Sequence, residues 1–421
     1  MTGIGTLFLI VRRSLRQHLL STLVTILSAA LGSGLVMATF AVAKQSRAAF
    51  AGGPVGFDAV LGARGSAEQL VLNTVFHLET SPGNIPWSMY REIAANPSVT
   101  LAIPYALGDN YLGYRVVGTT TDLFDEFELT RGQRFEIRPG GRAFDPSLRE
   151  AVIGSTVARE TGLNVRGTFK PFHGLAYDGR DQHQEEYTVV GVLEPTGSPS
   201  DRVIWIPIDG VFRMEGDVLR GTGEAFRPSD GFEIPDEAKE VSAVMLKLSS
   251  PRAGVTLGLL VNKQGKVATL AWPIGKVMAD LFRKLGWVNR VLELVAFLVL
   301  AGSAAPILAS LYNAMNERRR EFAILRTLGA KKRTVFSAIV LEAATISTLG
   351  ALLGFAVYAA ILATAATIVK AQTGVVLDGL AYHPAFVWTP IGMILLGALA
   401  GLLPAAKAYS TDVASNLVPS S

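Results

Sequence analysis

Four stretches of this chain are too long and too apolar to belong in water, and they decide its architecture. Leu19 to Ala43 runs 25 residues without a charge, and Leu294 to Asn316 runs 23 with only Asn, Ser and Pro306 as interruptions. Thr334 to Val369 runs 36 with Glu342 as its one charge, and Ala385 to Ala406 runs 22 with none. A helix crosses ~30 Å of hydrocarbon with ~20 apolar residues, so each stretch can span a bilayer. The segment between the first two has mixed charges, frequent Gly and Pro, and short alternating apolar runs. The expectation is one span, a large inserted domain, then three spans.

The fold class expected is therefore a membrane protein of four transmembrane α-helices with a large α+β extracytoplasmic (periplasmic) domain between helices 1 and 2. The boundaries are 1–18 for an interfacial N-terminal helix, 19–43 for span one, 44–285 for the inserted domain and 288–314 for span two. A connection over 316–333 leads to span three at 334–369, a short outer loop at 370–384, span four at 385–406 and a tail at 407–421. Arg12, Arg13 and Arg16 before the first run, and Ala41-Val42-Ala43 after it, also look like a secretory signal. A cleavable apolar core is 7–15 residues, and this one is far longer, so the reading is a retained span.

Charge sets the orientation, because Lys and Arg near span ends stay on the cytoplasmic side. Residues 1–18 carry three Arg and no acid, and residues 313–333 carry seven basic residues against two acidic ones. Both termini and the 316–333 connection are thus expected in the cytoplasm, and the inserted domain outside. Only 18% of the chain is charged, against about a quarter in soluble domains. The absence of Cys excludes thiolate catalysis, disulfide scaffolds and Cys-ligated metal.

Ile4, Leu7, Phe8, Val11 and Leu15 form a helical stripe opposite Arg12, Arg13 and Arg16. Two readings stand: a helix lying on the anionic inner leaflet, in contact with membrane lipids, or a plain extension of the first span. The 36 residues of the third stretch would reach ~54 Å as one helix, so it tilts, extends past the bilayer or begins as an interfacial turn. Glu342, two turns in, and Glu293, at the edge of span two, read as proton-relay groups or as carboxylates bonded to a neighbouring helix. The second reading is preferred for both. Gly350 and Gly354, like Gly397 and Gly401, are spaced as GxxxG, which allows close helix approach. The expectation is a bundle that packs against another, including a second copy of itself.

The connection NERRREFAILRTLGAKKR, residues 316–333, is the most informative segment. Phe322, Leu325 and Leu328 share one helical face, Glu317, Arg318, Arg320 and Glu321 occupy the rest, and Gly329 ends the pattern. It reads as a short amphipathic helix projecting from the membrane, or as an ordinary basic loop.

At this point the residues resemble a known family. ExRxEFAILRTLGA, followed by LEAATISTLGALLGF and the ending LLPAAKAYSTDVASNL, is similar to the FtsX-type permease domain of MacB/LolC-like ABC transporters. AVIGSTVARETGLNVRGTFK at 151–170, EEYTVVGVLEPTGSPSD and IWIPID resemble the MacB-type periplasmic domain. The resemblance implies an inner-membrane, multi-pass subunit that dimerises and binds cytoplasmic ATPases through the helix between spans two and three. On this sequence that makes Glu317 to Gly329 the coupling helix and puts Ala30, Gly32 and Gly34 on a small-residue dimer face. It also admits a periplasmic adaptor or an outer-membrane channel as partner, and gives no place to nucleic acid.

No GxxxxGK[ST] occurs: Gly265 and Gly275 precede Lys but lack the upstream Gly and the following Ser or Thr. ATP-Mg is thus expected on a separate ATPase subunit, with no cofactor and no catalytic residue here. In the inserted domain TVVGVLE and VIWIPI read as strands, and SMYREIAANP and DVLRGTGEAF as helix or turn. HGLAYDGRDQHQEE holds His173, Asp178, Asp181, His183, Glu185 and Glu186. The spacing matches no tight ligand pattern, so a solvated hairpin tip with no metal is the expectation. Two functions follow: an ABC permease that exports or extracts an amphiphile such as a peptide, antibiotic or lipoprotein, or an FtsX-like regulator that activates a periplasmic partner and transports nothing. The size of the inserted domain weighs toward the first.

Overall fold

The computed structural model describes residues 4–52, 55–130, 132–175, 177, 179–214, 234–317, 324, 327, 331–379 and 381–410. The chain divides into two compact units. One comprises residues 1–46, 285–367 and 378–421, and the other residues 47–284 and 368–377.

The first unit begins with α1 (Ile4–Gln17) and α2 (Leu19–Gly52). After the inserted domain it continues with α10 (Gly286–Gly302), α11 (Ala304–Glu317), α12 (Lys332–Thr373) and α13 (Ala385–Ser410). Among the described residues four helical stretches are long and apolar enough to cross a membrane: Leu19–Gly52, Gly286–Met315, Lys332–Thr373 and Ala385–Lys407. The second breaks at Ser303 because Pro306 has no N–H to offer the carbonyl one turn back. The third is a single unbroken helix of 42 residues, ~63 Å long at ~1.5 Å per residue. Most side chains on these helices that avoid their neighbours are apolar, Leu23, Leu27, Leu298 and Leu399 among them, as lipid contact requires.

The second unit is a mixed α/β domain. In chain order it holds β1 (Ala59–Ala63), α3 (Ala67–Thr74), β2 (Ile85–Pro86), α4 (Trp87–Ala94), β3 (Val99–Tyr111), β4 (Tyr114–Thr119) and α5 (Asp122–Asp125). There follow β5 (Glu150–Ile153), α6 (Ser155–Thr161), β6 (Thr168–Phe169), β7 (Phe172–His173), β8 (Tyr187–Val192), β9 (Val203–Pro207) and α7 (Ile208–Phe212). The last elements are β10 (Glu240–Val241), β11 (Ala243–Leu248), α8 (Pro251–Leu259), β12 (Ala268–Ala271) and α9 (Ile274–Lys284). The main sheet runs β12-β1-β11-β3-β4-β9-β5-β8-β6, with β7 on β3 and a separate β10-β2 ribbon. The pairs β4/β9 and β5/β8 are parallel and the rest antiparallel.

TVVGVLE and VIWIPI form β8 and β9 as their β-branched runs demand, and SMYREIAANP supplies α4. DVLRGTGEAF lies outside the described residues. β3 is the element that joins the two halves of the sheet. Residues 99–105 pair with β11 and residues 106–111 with β4, and the β4 pairing carries a register shift at Gly108. Ser242 stitches this elbow: its Oγ accepts the Leu107 N–H at 3.0 Å, and its own N–H donates to the Tyr105 carbonyl at 2.8 Å.

Residues 370–377, expected in a short outer loop, join the inserted domain instead. α12 outlasts the apolar run, and Val375 beyond it is buried in the domain core. Gly374 makes the turn at φ +75, and a Cβ there would come within 2.5 Å of the Ser198 carbonyl oxygen, so only glycine fits.

His77 lies in this core against Trp205, ring centroids 6.3 Å apart. Burial, reinforced by the positive charge of Arg115, pushes its pKa down from 6.5 to about 3, against the raising effect of a hydrogen bond with the Asn73 backbone. The folded state therefore refuses a proton that the unfolded chain accepts below pH 6.5. Stability from this group is complete above pH 6.5 and declines as pH falls toward 3, by at most about 1.4 kcal/mol per pH unit. His77→Asn, which tolerates the local φ of +56, should flatten that decline. Urea-dependent proteolysis of the inserted domain at pH 6.5 and pH 5 measures it, and equal slopes for both proteins would refute the assignment.

Candidate functional site

Three regions bring the candidate residues together. The first is the end of the membrane unit that carries the basic connection. His18, in the turn between α1 and α2, places Nδ1 3.3 Å from Glu317 Oε2. One turn back, the Ser14 hydroxyl donates to Glu342 Oε1 at 2.5 Å, and both groups are buried. Polar contacts thus tie Ser14 of α1 to α12 and the turn after α1 to α11. Ser14 was not among the residues singled out by sequence; a Ser in an otherwise apolar and basic helix carries too little signal. Lys407 donates to the Tyr312 hydroxyl and stands 4.4 Å from its ring centroid, tying α13 to α11.

Of the expected coupling helix, Glu317 closes α11, and Ile324 and Thr327 are helical and exposed. Arg318, Arg320, Glu321, Phe322, Leu325, Leu328 and Gly329 lie outside the described residues. Glu293 sits half-buried on α10.

The second region is the small-residue packing of the bundle. A Cβ at Gly34 would stand 2.6 Å from Val357 Cβ and 2.8 Å from the Gly354 carbonyl, so α2 and α12 meet backbone to backbone there. Gly350 faces Ala29 on the same seam, and Gly354 faces Ser33. Gly32 faces Leu300 of α10, Gly397 faces Ser347 of α12, and a Cβ at Gly401 would come 2.7 Å from Ala343 Cβ. Ala30 is fully buried. Ala30, Gly32 and Gly34, expected on a small-residue packing or dimer face, are thus packed within the chain. Helices of the same chain already cover these positions, since close backbone approach is available to whichever helix docks first.

The third region is in the inserted domain. Asp201, buried, accepts at Oδ1 from the Thr196 N–H (2.8 Å) and hydroxyl (2.9 Å), and at Oδ2 from the Gly197 N–H (2.9 Å). It fixes the TGSPSD loop against the turn at Gly154, where any side chain would strike the Asp201 carbonyl. The two motifs IGST and TGSPSD, far apart in sequence, are therefore halves of one packed turn.

HGLAYDGRDQHQEE is exposed at Tyr177 and from Gly179 to Gln182, as the expected solvated tip would be, but it also buries part of its polar set. Gln182 bridges back to Phe172, and β7 pairs with β3 so that His173 lies opposite Asp109. His183 and Glu185 are buried, and so is Asp109; His173 stays exposed. His183 Nε2 lies 3.1 Å and His173 Nδ1 3.6 Å from the same oxygen, Asp109 Oδ1. Burial pushes the Asp109 carboxyl up, yet the hydrogen bonds with His173 and His183 outweigh it and hold the group below the ordinary carboxylate range. Asp178 lies outside the described residues. Asp181 contributes its carbonyl, accepting from the His173 N–H at 2.9 Å.

Four apolar helices long enough to span a membrane, a basic connection and a large mixed α/β insertion after the first of them define a multi-pass membrane protein with a large inserted domain. Residues 22–253 match the family model of the MacB-like periplasmic core domain, and residues 293–413 that of the FtsX-like permease C-terminal domain. The chain belongs to the MacB/FtsX-type ABC transporter permease family, whose members work with an ATPase subunit. Among solved structures it is similar to the extracellular domain of the noncanonic ABC-type transporter YknZ from Gram-positive bacteria, with 13% identity over 50% of this chain and 97% of that one, TM-score 0.28. It is likewise similar to the periplasmic region of MacB from Actinobacillus actinomycetemcomitans, with 12% identity over 55% of this chain and 94% of that one, TM-score 0.32. No curated protein matches it.

Proposed function

We propose that this chain is the permease subunit of an ABC system in the bacterial inner membrane, driven by a separate cytoplasmic ATPase that docks on Glu317 to Gly329. ATP-driven closure of the ATPases would pull on this connection and move the inserted domain on the outer face, exporting or extracting an amphiphilic substrate. Two permease copies would complete the membrane unit, with an adaptor or outer-membrane channel as further partners. The observation that carries the reading is the connection itself: seven basic residues against two acidic ones over residues 313–333, within which Glu317 is paired with His18. Basic residues at span ends stay in the cytoplasm, which is where an ATPase can reach them.

Orientation is the direct test. A reporter active only outside the cytoplasm should work when fused after Gly140, in an exposed turn at φ +88, and fail when fused after Arg320. The reverse pattern would put the ATPase site on the wrong face and remove the proposal.

A further inference from the structure

The convergence of two imidazoles on one buried carboxylate has no part in the permease reading. We propose that Asp109, His173 and His183 form a binding site for a borderline divalent metal ion of the zinc class, clamping the β7 hairpin onto the elbow of β3. The proposal stands independently of the function assigned above.

The geometry fits such an ion. All three donor atoms lie within 4.8 Å of one another, with the carboxylate oxygen 3.1 Å and 3.6 Å from the two ring nitrogens. Ligands at ~2.0–2.1 Å from a tetrahedral centre stand ~3.3 Å apart, a value between the two separations from Asp109, so an ion needs only small side-chain shifts. The donors are also preset by backbone. The β3/β7 register puts His173 across from Asp109, the His183 N–H donates to the Pro171 carbonyl at 2.9 Å, and the Asn110 side-chain amide donates to the Gly174 carbonyl at 2.9 Å. Both imidazoles are therefore held on one side of the hairpin, facing the strand. Asp109 and His183 are buried, while the His173 side chain is 60% exposed, which leaves a route of entry and a fourth position for water.

The donor chemistry selects the metal. Two neutral nitrogens and one carboxylate suit Zn2+ and its transition-metal neighbours, whereas Mg2+ and Ca2+ demand oxygen. The hairpin spacing alone could not suggest the site, because the third donor comes from β3. The location gives it an effect: Asp109 follows directly on the register shift at Gly108, inside the stretch of β3 that pairs with β4 and just past Tyr105, where the pairing with β11 ends. An ion there would pin the β7 hairpin to the irregular part of the β3/β4 ladder.

The test is zinc binding by the full-length chain, purified in mild detergent without a polyhistidine tag and stripped with a chelator. The chain has no Cys and five His, so background binding is low. Wild type should retain one Zn2+ per chain after gel filtration, and Co2+ in its place should show the visible absorption of a tetrahedral site. His173→Ala, a change at an exposed side chain, should lower Zn2+ affinity by at least ~100-fold, beyond the effect of losing an outer-shell partner. Asp109→Asn should do the same, and a large excess of Mg2+ should not displace the zinc. Failure of the wild type to bind, or binding unchanged in His173→Ala, would overturn the proposal. The three other histidines, His18, His77 and His383, remain in every variant and report any binding elsewhere.

Discussion

Leu325→Asp should release the ATPase while leaving the chain in the membrane and its inserted α/β domain folded. An ATPase in water can pull on a membrane protein only through a rigid element that reaches it, and Glu317 to Gly329 is the connection with a strong helical pattern between spans. Phe322, Leu325 and Leu328 repeat at helical spacing, and apolar anchors at an interface centre carry most of its energy. Replacing the central one with a carboxylate removes that anchor and buries a charge, a loss of ~2 kcal/mol or more, or roughly 30-fold in affinity. Rim charges act chiefly on association rate, so Arg318→Ala should cost under ~1 kcal/mol. Copurification of the ATPase with each variant, alongside protease protection of the inserted domain, separates the two. Undiminished ATPase recovery with Leu325→Asp would show that the segment is a basic loop and nothing more.

Gly354→Val should unseat the first membrane helix from the third. Gly354 faces Ser33 and the backbone of Gly34, and a Cβ at Gly34 would meet the Gly354 carbonyl at 2.8 Å. A Cβ at Gly354 would overlap Ser33 Oγ, and even with that hydroxyl turned away it would stand 3.2 Å from both Ser33 Cβ and the Gly34 nitrogen, which leaves no room for the further branches of valine. Overpacking of this kind costs ~1–3 kcal/mol, and in a bilayer the helix contact is held by close packing itself. Gly392→Val is the matched control: a Cβ at Gly392 meets nothing within 4 Å, and such a change stays within about 0.5 kcal/mol. Resistance to SDS unfolding should fall for the first variant and hold for the second. Equal resistance would mean that the α2/α12 seam is not closed in the membrane.

The same glycines show how far the sequence can be read. Gly350 and Gly354 announce, by spacing, that one face of a helix accepts another backbone, and the structure uses that face. What spacing does not carry is the identity of the partner. Ala30, Gly32 and Gly34 fit a dimer seam and an internal seam equally well, and only the docked bundle shows α10 and α12 upon them. Glu342 and Glu293 illustrate the same limit. One intramembrane carboxylate is bonded to Ser14 of α1, a residue with no signal of its own, and that pairing depends on where α1 lies.

In the inserted domain, local pattern located the strands VIWIPI and TVVGVLE because alternation and β-branching act within a few residues. For HGLAYDGRDQHQEE the charges read as a solvated tip, which holds for Tyr177 and for Gly179 to Gln182 but not for His183 and Glu185. Register against β3 overrides composition there, drawing His183 and Glu185 out of water.

By itself the sequence determined what each segment must bury: four stretches too apolar for water, a basic connection that charge assigns to one face, and motifs that place the chain in its family. Those properties are local sums of transfer free energy and charge, and they survive without knowledge of neighbours. The tertiary structure alone decided which buried face meets which: glycine seams closed within one chain, IGST locked on TGSPSD, and Asp109 brought to His173 and His183. Such pairings arise from segments distant along the chain, where docking geometry rather than composition selects the partner.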